Sequence, residues 1–299
     1  MKPATKEVIA LGFFDGVHLG HGALLRRCAE VAAQRDAIPA ACTFDAHPMT
    51  LIAAEAPPLL TTPAERARLM DELYGVETLH IVPFDRAMMT LPWEDFVTDV
   101  LVERFHACHV VAGYDYRFGY RGQGTADKLR CLCARLGLGC DIVGEVTLED
   151  QRVSSSAIRA MVAHGELERA RRFLGHPYRL AGTVRHGKGL GHTLGFPTVN
   201  LDLDPRLQLP AFGVYAARAE LPDGAKALAA VNVGRRPTVD DGDAVTVEGF
   251  LLDVEGQFYG RSVALDLYHR LRPERKFDSL EALRGAVMEN ADQVRRYFA

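Results

Sequence analysis

Apolar residues change their spacing midway along the chain. In the first half, short apolar runs at 8–11, 40–44, 79–84, 109–113 and 141–146 alternate with segments whose apolar residues recur every three or four positions. The runs have the length and composition of buried strands. Leu24, Leu25, Cys28, Val31 and Ala32 follow the first run at helical spacing, and further helices are predicted near 64–73, 93–105 and 125–136. Thr62-Pro63-Ala64-Glu65 reads as a capping box with proline at the first helical position. Strands alternating with amphipathic helices predict a parallel sheet wrapped by helices on both faces.

From about residue 178 the helical period disappears. The segments 178–184, 213–220, 228–233, 245–254 and 263–268 are rich in β-formers, and turn residues such as Pro222-Asp223-Gly224 and Asp240-Asp241-Gly242-Asp243 separate them. Only at the end does a helix return. Asp278-Ser279-Leu280-Glu281 resembles a capping box, and Leu280, Leu283, Val287, Val294 and Phe298 share one helix face. The expected fold is therefore α/β plus β: a parallel-sheet domain over 1–176, then a small antiparallel barrel or sandwich over 177–299 closed by a terminal helix. A chain of 299 residues is long enough for two domains, each with its own core.

Candidate chemistry begins where the first run gives way to Gly12-Phe13-Phe14-Asp15-Gly16-Val17-His18-Leu19-Gly20-His21. This puts His18 and His21 where a strand hands over to a helix, whose free N–H groups and dipole favour a phosphate. Gly20 lets backbone approach a ligand closely, and two imidazoles can donate to a phosphoryl oxygen as its charge grows. Alone, a His-x-x-His pair is as well explained by a capped turn or a stray metal pair as by a phosphate site; the strand before, the helix after and glycines at 12 and 16 favour nucleotide binding. Ligands of such sheets bind beyond the carboxyl ends of the strands, where Asp115, Phe118 and Gly119 of the 113–119 segment also fall. Ser154 and Ser155 stand at a further helix start with Arg159 one turn in, a pattern that serves a cap or a pyrophosphate.

The second half has its own phosphate signals. Gly187, Gly189 and Gly191 lie in a loop whose backbone could wrap a phosphate, although no Gly-x-x-x-x-Gly-Lys-Ser/Thr pattern is present. Gly195 then precedes Phe196-Pro197-Thr198-Val199-Asn200, where Thr198 and Asn200, two apart, face one side of an extended segment. Their oxygens suit Mg²⁺ shared with ATP phosphates, while on this segment alone an ordinary turn accounts for them as well. Glu248 sits in an apolar stretch, where a carboxylate is costly unless it faces a site or a partner.

The sequence resembles the bacterial FAD synthetases, bifunctional enzymes with riboflavin kinase and FMN adenylyltransferase activities. In the first half the resemblance rests on residues 14–21, Phe44-Asp45-Ala46-His47-Pro48, 113–119 and 154–159. In the second it rests on Leu174-Gly175-His176-Pro177-Tyr178, 195–200, Gly213-Val214-Tyr215, 234–238, Val247-Glu248, Phe258-Tyr259-Gly260 and Leu271-Arg272-Pro273-Glu274. The motifs run in the family's order along nearly the whole chain. The resemblance implies a Rossmann-like nucleotidyltransferase domain followed by a barrel. It also implies transfer of phosphate from ATP to riboflavin in the second half, and adenylylation of the resulting FMN to FAD, with release of pyrophosphate, in the first. It makes Glu248 the kinase general base, Thr198 and Asn200 the Mg²⁺ holders, and His18 and His21 the catalytic pair of the transferase. Gly12, Phe14, Asp15, Gly16, Gly20, Asp115, Phe118, Gly119, Ser154, Ser155, Arg159, Gly187, Gly189, Gly191 and Gly195 fall to nucleotide or flavin binding. The family pattern has asparagine where this chain has Phe13, and arginine or lysine where it has His192.

Composition agrees with a cytoplasmic enzyme. A net charge of −4 gives no footprint for nucleic acid, and no apolar run is long enough to span a bilayer. All six cysteines lie in the first half without a Cys-x-x-Cys pair and are expected to be reduced. Two other classes stay open: a nucleotidyl transferase for another acceptor, including a fragment of a class I aminoacyl-tRNA synthetase, and a flavin-binding regulator with decayed sites. The missing Lys-Met-Ser-Lys-Ser-type loop weighs against the synthetase, and joint retention of His18, His21, Thr198, Asn200 and Glu248 against decay.

Overall fold

The first predicted run is the central strand of a five-stranded sheet. In the computed structural model, which describes residues 5–51, 56–186, 198–235 and 245–299, the chain divides into two compact units, Met1–Ser155 and Ser156–Ala299. In the first unit β1 (Glu7–Leu11), β2 (Ile38–Phe44), β3 (Thr78–Val82), β4 (Ala107–Gly113) and β5 (Gly139–Val143) are arranged β3-β2-β1-β4-β5. All four pairings are parallel, with Ile9 opposite both Ala40 and Val110. The helices are α1 (Leu19–Arg35), α2 (Pro63–Tyr74), α3 (Arg86–Thr90), α4 (Trp93–Asp95), which continues as a π-helix over Phe96–Arg104, and α5 (Ala126–Leu136). Successive residues of β1 enter opposite cores. Ile9 and Leu11 pack with Phe96, Leu101 and Leu129, whereas Val8 and Ala10 pack with Leu25, Cys28 and Met70. This alternation of burial on both faces is why the strands are apolar throughout.

Two local features depart from the pattern reading. The helix expected at 93–105 widens into π geometry, closed by Phe105 N–H donating to Val100 O at 3.1 Å. The strand expected at 141–146 ends at Val143 and is followed by a hairpin of β6 (Thr147–Leu148) and β7 (Gln151–Arg152). Its turn residues Glu149 and Asp150 both have positive φ, 54° and 55°. That conformation matches the twist of a two-residue hairpin, but Glu-Asp is not the usual sequence for it.

The second unit begins with α6 (Ser155–His164), which straddles the division, and α7 (Leu167–Leu174). β8 (Tyr178–Arg185), β9 (Thr198–Asp202), β10 (Gly213–Glu220), β11 (Lys226–Arg235), β12 (Val245–Leu251) and β13 (Ser262–Pro273) then form a closed antiparallel barrel in the order β10-β11-β12-β9-β8-β13. Leu180, Val199, Tyr215, Ala217, Val231, Val247, Leu265 and Leu267 alternate along these strands and are buried. The residues between them face outward. Part of that outer face is covered by α8 (Leu280–Phe298), whose Ala291 and Val294 pack with Val214, Ala216 and Ala230.

Candidate active sites

The strand order reverses at β1, whose neighbours β2 and β4 continue in opposite directions, so a crevice opens beyond its carboxyl end. The 12–18 turn fills that position and is strained. Phe14, Gly16 and Val17 all have positive φ, at 57°, 84° and 40°, and for a β-branched residue such as Val17 this is a rarely populated region. Three contacts hold the turn. Phe14 is fully buried in the core beside α1. The buried Asp15 carboxylate accepts from Leu60 N–H at 2.8 Å and Thr61 N–H at 3.0 Å, while Gly16 N–H donates to Thr61 Oγ1 at 2.9 Å. Arg66, fully buried on α2, donates from Nη1 to Phe13 O at 2.9 Å and lies over the Phe13 ring at 4.5 Å. Phe14 and Asp15 thus shape the turn from behind.

The turn delivers His18 to the N-cap of α1, where its Nδ1 accepts from His21 N–H at 3.2 Å. In the neutral ring the hydrogen must then sit on Nε2, which leaves His18 a donor at that atom. Its ring stacks on that of His21 with centroids 3.6 Å apart. A Cβ at Gly20 would come within 3.1 Å of His18 Cε1, so the glycine makes room for the folded-back ring. Burial, then the charges of His18 and Arg66, push the His21 imidazole well below its ordinary value, so it is neutral at pH 7. His21 Nδ1 is buried without a hydrogen-bond partner among the described residues.

Two other expected segments converge on this end of the first unit. Ser155 Oγ donates to Asp15 O at 2.9 Å, which ties the start of α6 to the turn. Asp115 pairs with Arg152. Phe118 is buried and stacks on Tyr116, and Gly119, at φ 70°, passes so close to Trp93 that a Cβ would lie 2.4 Å from its Cα. Beside them is a cavity of about 230 Å³ whose lining includes Phe44, Phe84, Met88, Phe118 and Gly119 together with Arg117 and Arg121. Arg159 lies one turn into α6, with Nη1 3.4 Å from Ser156 Oγ. The structure therefore brings His18, Gly20, His21 and Ser155 together at one turn and sets Phe118 and Gly119 in the cavity wall.

In the barrel, β9, β12 and β11 set Asn200, Glu248 and Asn232 directly opposite one another, and Thr198 opposite Phe250. The intervening residues Val199, Val231 and Val247 fill the barrel interior, so this polar row belongs to the outer face. There a cavity of about 230 Å³ is bounded by Thr198, Asn232, Glu248, Phe250 and Arg272 of the barrel, by Leu283, Val287 and Asn290 of α8, and by Glu274, Arg275 and Phe277 between them. Asn200 Oδ1 is buried without a hydrogen-bond partner among the described residues. Such an oxygen, next to a threonine hydroxyl, fits a hard cation that takes its remaining ligands from phosphates and water. No group of three or more His, Cys, Asp and Glu among the described residues could hold a metal by itself. Gly187, Gly189, Gly191 and Gly195 lie outside the described residues.

Arg66, Asn232 and Asn290 escaped the sequence reading. Arg66 looks like a solvated helix residue between Glu65 and Ala67, and only the three-dimensional position of Phe13 reveals it. Asn232 sits in an apolar stretch and Asn290 falls on the helix face of Leu283, Val287 and Val294, and both are usable signals for a side chain facing a site.

Residues 1–157 match the FAD synthetase family model, and residues 174–298 match the riboflavin kinase model. A Listeria monocytogenes protein named bifunctional riboflavin kinase/FMN adenylyltransferase is 35% identical, over 98% of this chain and 93% of its own. An Escherichia coli K12 protein of the same name is 37% identical, over 99% and 94%. Among solved structures, a Streptococcus pneumoniae chain described as a macrolide-efflux protein superposes with a TM-score of 0.86 at 31% identity, over 99% of this chain and 95% of that one. Among the described residues no helix is long and apolar enough to cross a membrane. The parallel-sheet unit with its histidine turn, the barrel with its glutamate-lined cavity and the two collinear matches together establish that this chain belongs to the FAD synthetase family and carries a riboflavin kinase domain in its second half.

Proposed function

We propose that this chain makes FMN and FAD in succession: the second half transfers the γ-phosphoryl group of ATP to riboflavin, and the first half transfers AMP from a second ATP to FMN. We assign the adenylyl transfer to residues 1–176 and the phosphoryl transfer to 177–299. The observation that carries the reading is that two chemically different sites stand on two scaffolds, a stacked imidazole pair at a sheet crevice and a carboxylate in a barrel-side cavity.

In adenylyl transfer the FMN phosphate attacks the α-phosphorus of ATP, and pyrophosphate leaves. Negative charge grows on the oxygens around that phosphorus, and the N–H groups that open α1, with the His18 ring at its N-cap, are groups that can donate to such charge. His21, neutral and packed against His18, supplies a second donor without adding a competing cation. The aromatic cavity beside Phe118 suits the flat apolar ring system of the flavin, and Arg117 and Arg121 suit its phosphate.

In phosphoryl transfer the nucleophile is the terminal hydroxyl of the ribityl chain. Glu248 takes its proton as the oxygen attacks the γ-phosphorus and ADP leaves. Thr198 and Asn200 would hold Mg²⁺, which when bound neutralises charge on the ATP phosphates. Incubating the purified protein with riboflavin, ATP and Mg²⁺ and separating the flavins tests the whole reading: FMN followed by FAD is expected, and absence of any new flavin overturns it.

A further inference from the structure

Asn290 breaks the apolar face of α8. Together with Leu283 and Val287 it lines the barrel-side cavity, and it is only 3% exposed. A buried amide needs partners, and one is fixed: Arg272 Nε donates to Asn290 Oδ1 at 3.1 Å. A guanidinium has no acceptor, so the atom facing it must be the amide oxygen. The amide nitrogen is thereby turned away from Arg272, and its two N–H groups have no hydrogen-bond partner among the described residues. The lining mixes the apolar Val214, Ala230, Phe250, Leu283 and Val287 with the polar Thr198, Asn232, Glu248, Glu274 and Arg275. The cavity therefore combines apolar walls with an amide donor on α8 oriented by Arg272, while the Asn232 amide and the Glu248 carboxylate belong to the row on β9, β12 and β11.

Riboflavin has the complementary chemistry. Its ring system is apolar at the benzenoid end, carries two carbonyl oxygens at the pyrimidine end, and bears the reacting hydroxyl on a separate ribityl chain. We propose that Asn290, oriented by Arg272, recognises a ring carbonyl of the flavin and so determines substrate specificity in the kinase half, a role that rests on the kinase reading above. The donor reads the ring and takes no part in the chemistry at the hydroxyl.

The test is steady-state kinetics of FMN formation by the full chain and by Asn290→Asp. The substitution keeps an oxygen for Arg272, so the contact that anchors α8 survives, and it replaces the donor by an acceptor. The KM for riboflavin should rise by about tenfold or more, the worth of one well-placed hydrogen bond plus an unpaired acceptor. The kcat and the KM for ATP should stay within about threefold, and FAD formation from supplied FMN should be unchanged. Riboflavin analogues with sulfur in place of either ring carbonyl oxygen supply the second arm. One of them should bind the wild type more weakly than riboflavin does, and that penalty should shrink in Asn290→Asp. A folded Asn290→Asp protein with unchanged KM, or thio penalties equal in both proteins, would overturn the assignment. A wild-type protein that makes no FMN would instead remove the kinase reading itself.

Discussion

Asp15 offers a measurement that separates a loop tie from a nucleotide ligand. Its buried carboxylate accepts from the N–H groups of Leu60 and Thr61 and from the Thr61 hydroxyl. Asp15→Ala leaves two buried backbone donors without an acceptor. Each hydrogen bond to a charged group contributes about 1.5–3 kcal/mol net, so the pair is worth about 3–6 kcal/mol, a large part of the roughly 5–15 kcal/mol that holds a domain together. At roughly 2–4 °C per kcal/mol for a unit of this size, the first transition in a calorimetric scan should fall by about 6–24 °C. Asp15→Asn retains one acceptor oxygen and should lose about half as much. Released from residues 60–61, the strained turn no longer holds His18, so FAD formation should fall with stability while FMN formation persists. An Asp15→Ala protein that melts within about 1 °C of wild type while its KM for ATP rises would refute the tie and make the carboxylate a ligand.

Three further outcomes follow from the geometry. Glu248→Gln should lower kcat for FMN formation by roughly 10²–10⁴-fold with little change in the KM for ATP, whereas Asn200→Ala should also raise the Mg²⁺ concentration needed; near wild-type turnover of Glu248→Gln would remove the general base. Burial, foremost, pushes His21 and His109 below the ordinary 6.5, so just below that pH the unfolded chain binds more protons than the folded one. The stability of the first unit should therefore fall as pH drops through about 6.5, and a double His21→Ala/His109→Ala variant should show a flatter stability–pH curve in denaturant titrations. A fragment 156–299 should unfold cooperatively, while a fragment 177–299, lacking α7 and its buried Leu167, Phe173 and Leu174, should be less stable by several kcal/mol; equal midpoints in urea would show that α7 contributes nothing.

The parallel sheet, the barrel strands and the terminal helix were legible because burial on one or both faces writes its period directly into the chain. The His18–His21 turn was legible for a related reason: strand, glycines, histidines and helix are contiguous, so their juxtaposition needs no knowledge of the tertiary fold. Phe14 was not. Next to Asp15 it looks like part of the ligand loop, but its positive φ turns the ring into the core. Arg66 was hidden by distance along the chain, since Phe13 and Thr43, its partners, belong to the β1 turn and to β2. The short β9 offered only five residues to a pattern search, yet it carries Thr198 and Asn200. Cross-strand register, which sets Asn200, Glu248 and Asn232 in one row, is absent from any local window.

The difference between the two sites follows from their nucleophiles. The phosphate of FMN is largely ionised at pH 7, with a second pKa near 6, so adenylyl transfer needs no base and gains most from donors aimed at the charge that grows around the α-phosphorus. Imidazole N–H groups at a helix N-terminus are such donors, and a carboxylate in their place would repel both reacting phosphates. The ribityl hydroxyl holds its proton at pH 7, so phosphoryl transfer does require an acceptor. A carboxylate in that cavity needs its repulsion toward ATP offset, which a cation on Thr198 and Asn200 would provide from the neighbouring strand. Exchanging the groups would disable both halves: an imidazole whose pKa is lowered by burial, as that of His21 is, is a weak base for an alcohol, and on the proposed assignment a glutamate beside His18 would place negative charge next to the charge that grows in adenylyl transfer. Two ATP-dependent steps on one flavin therefore call for two separate pockets, even though the product of one is the substrate of the other.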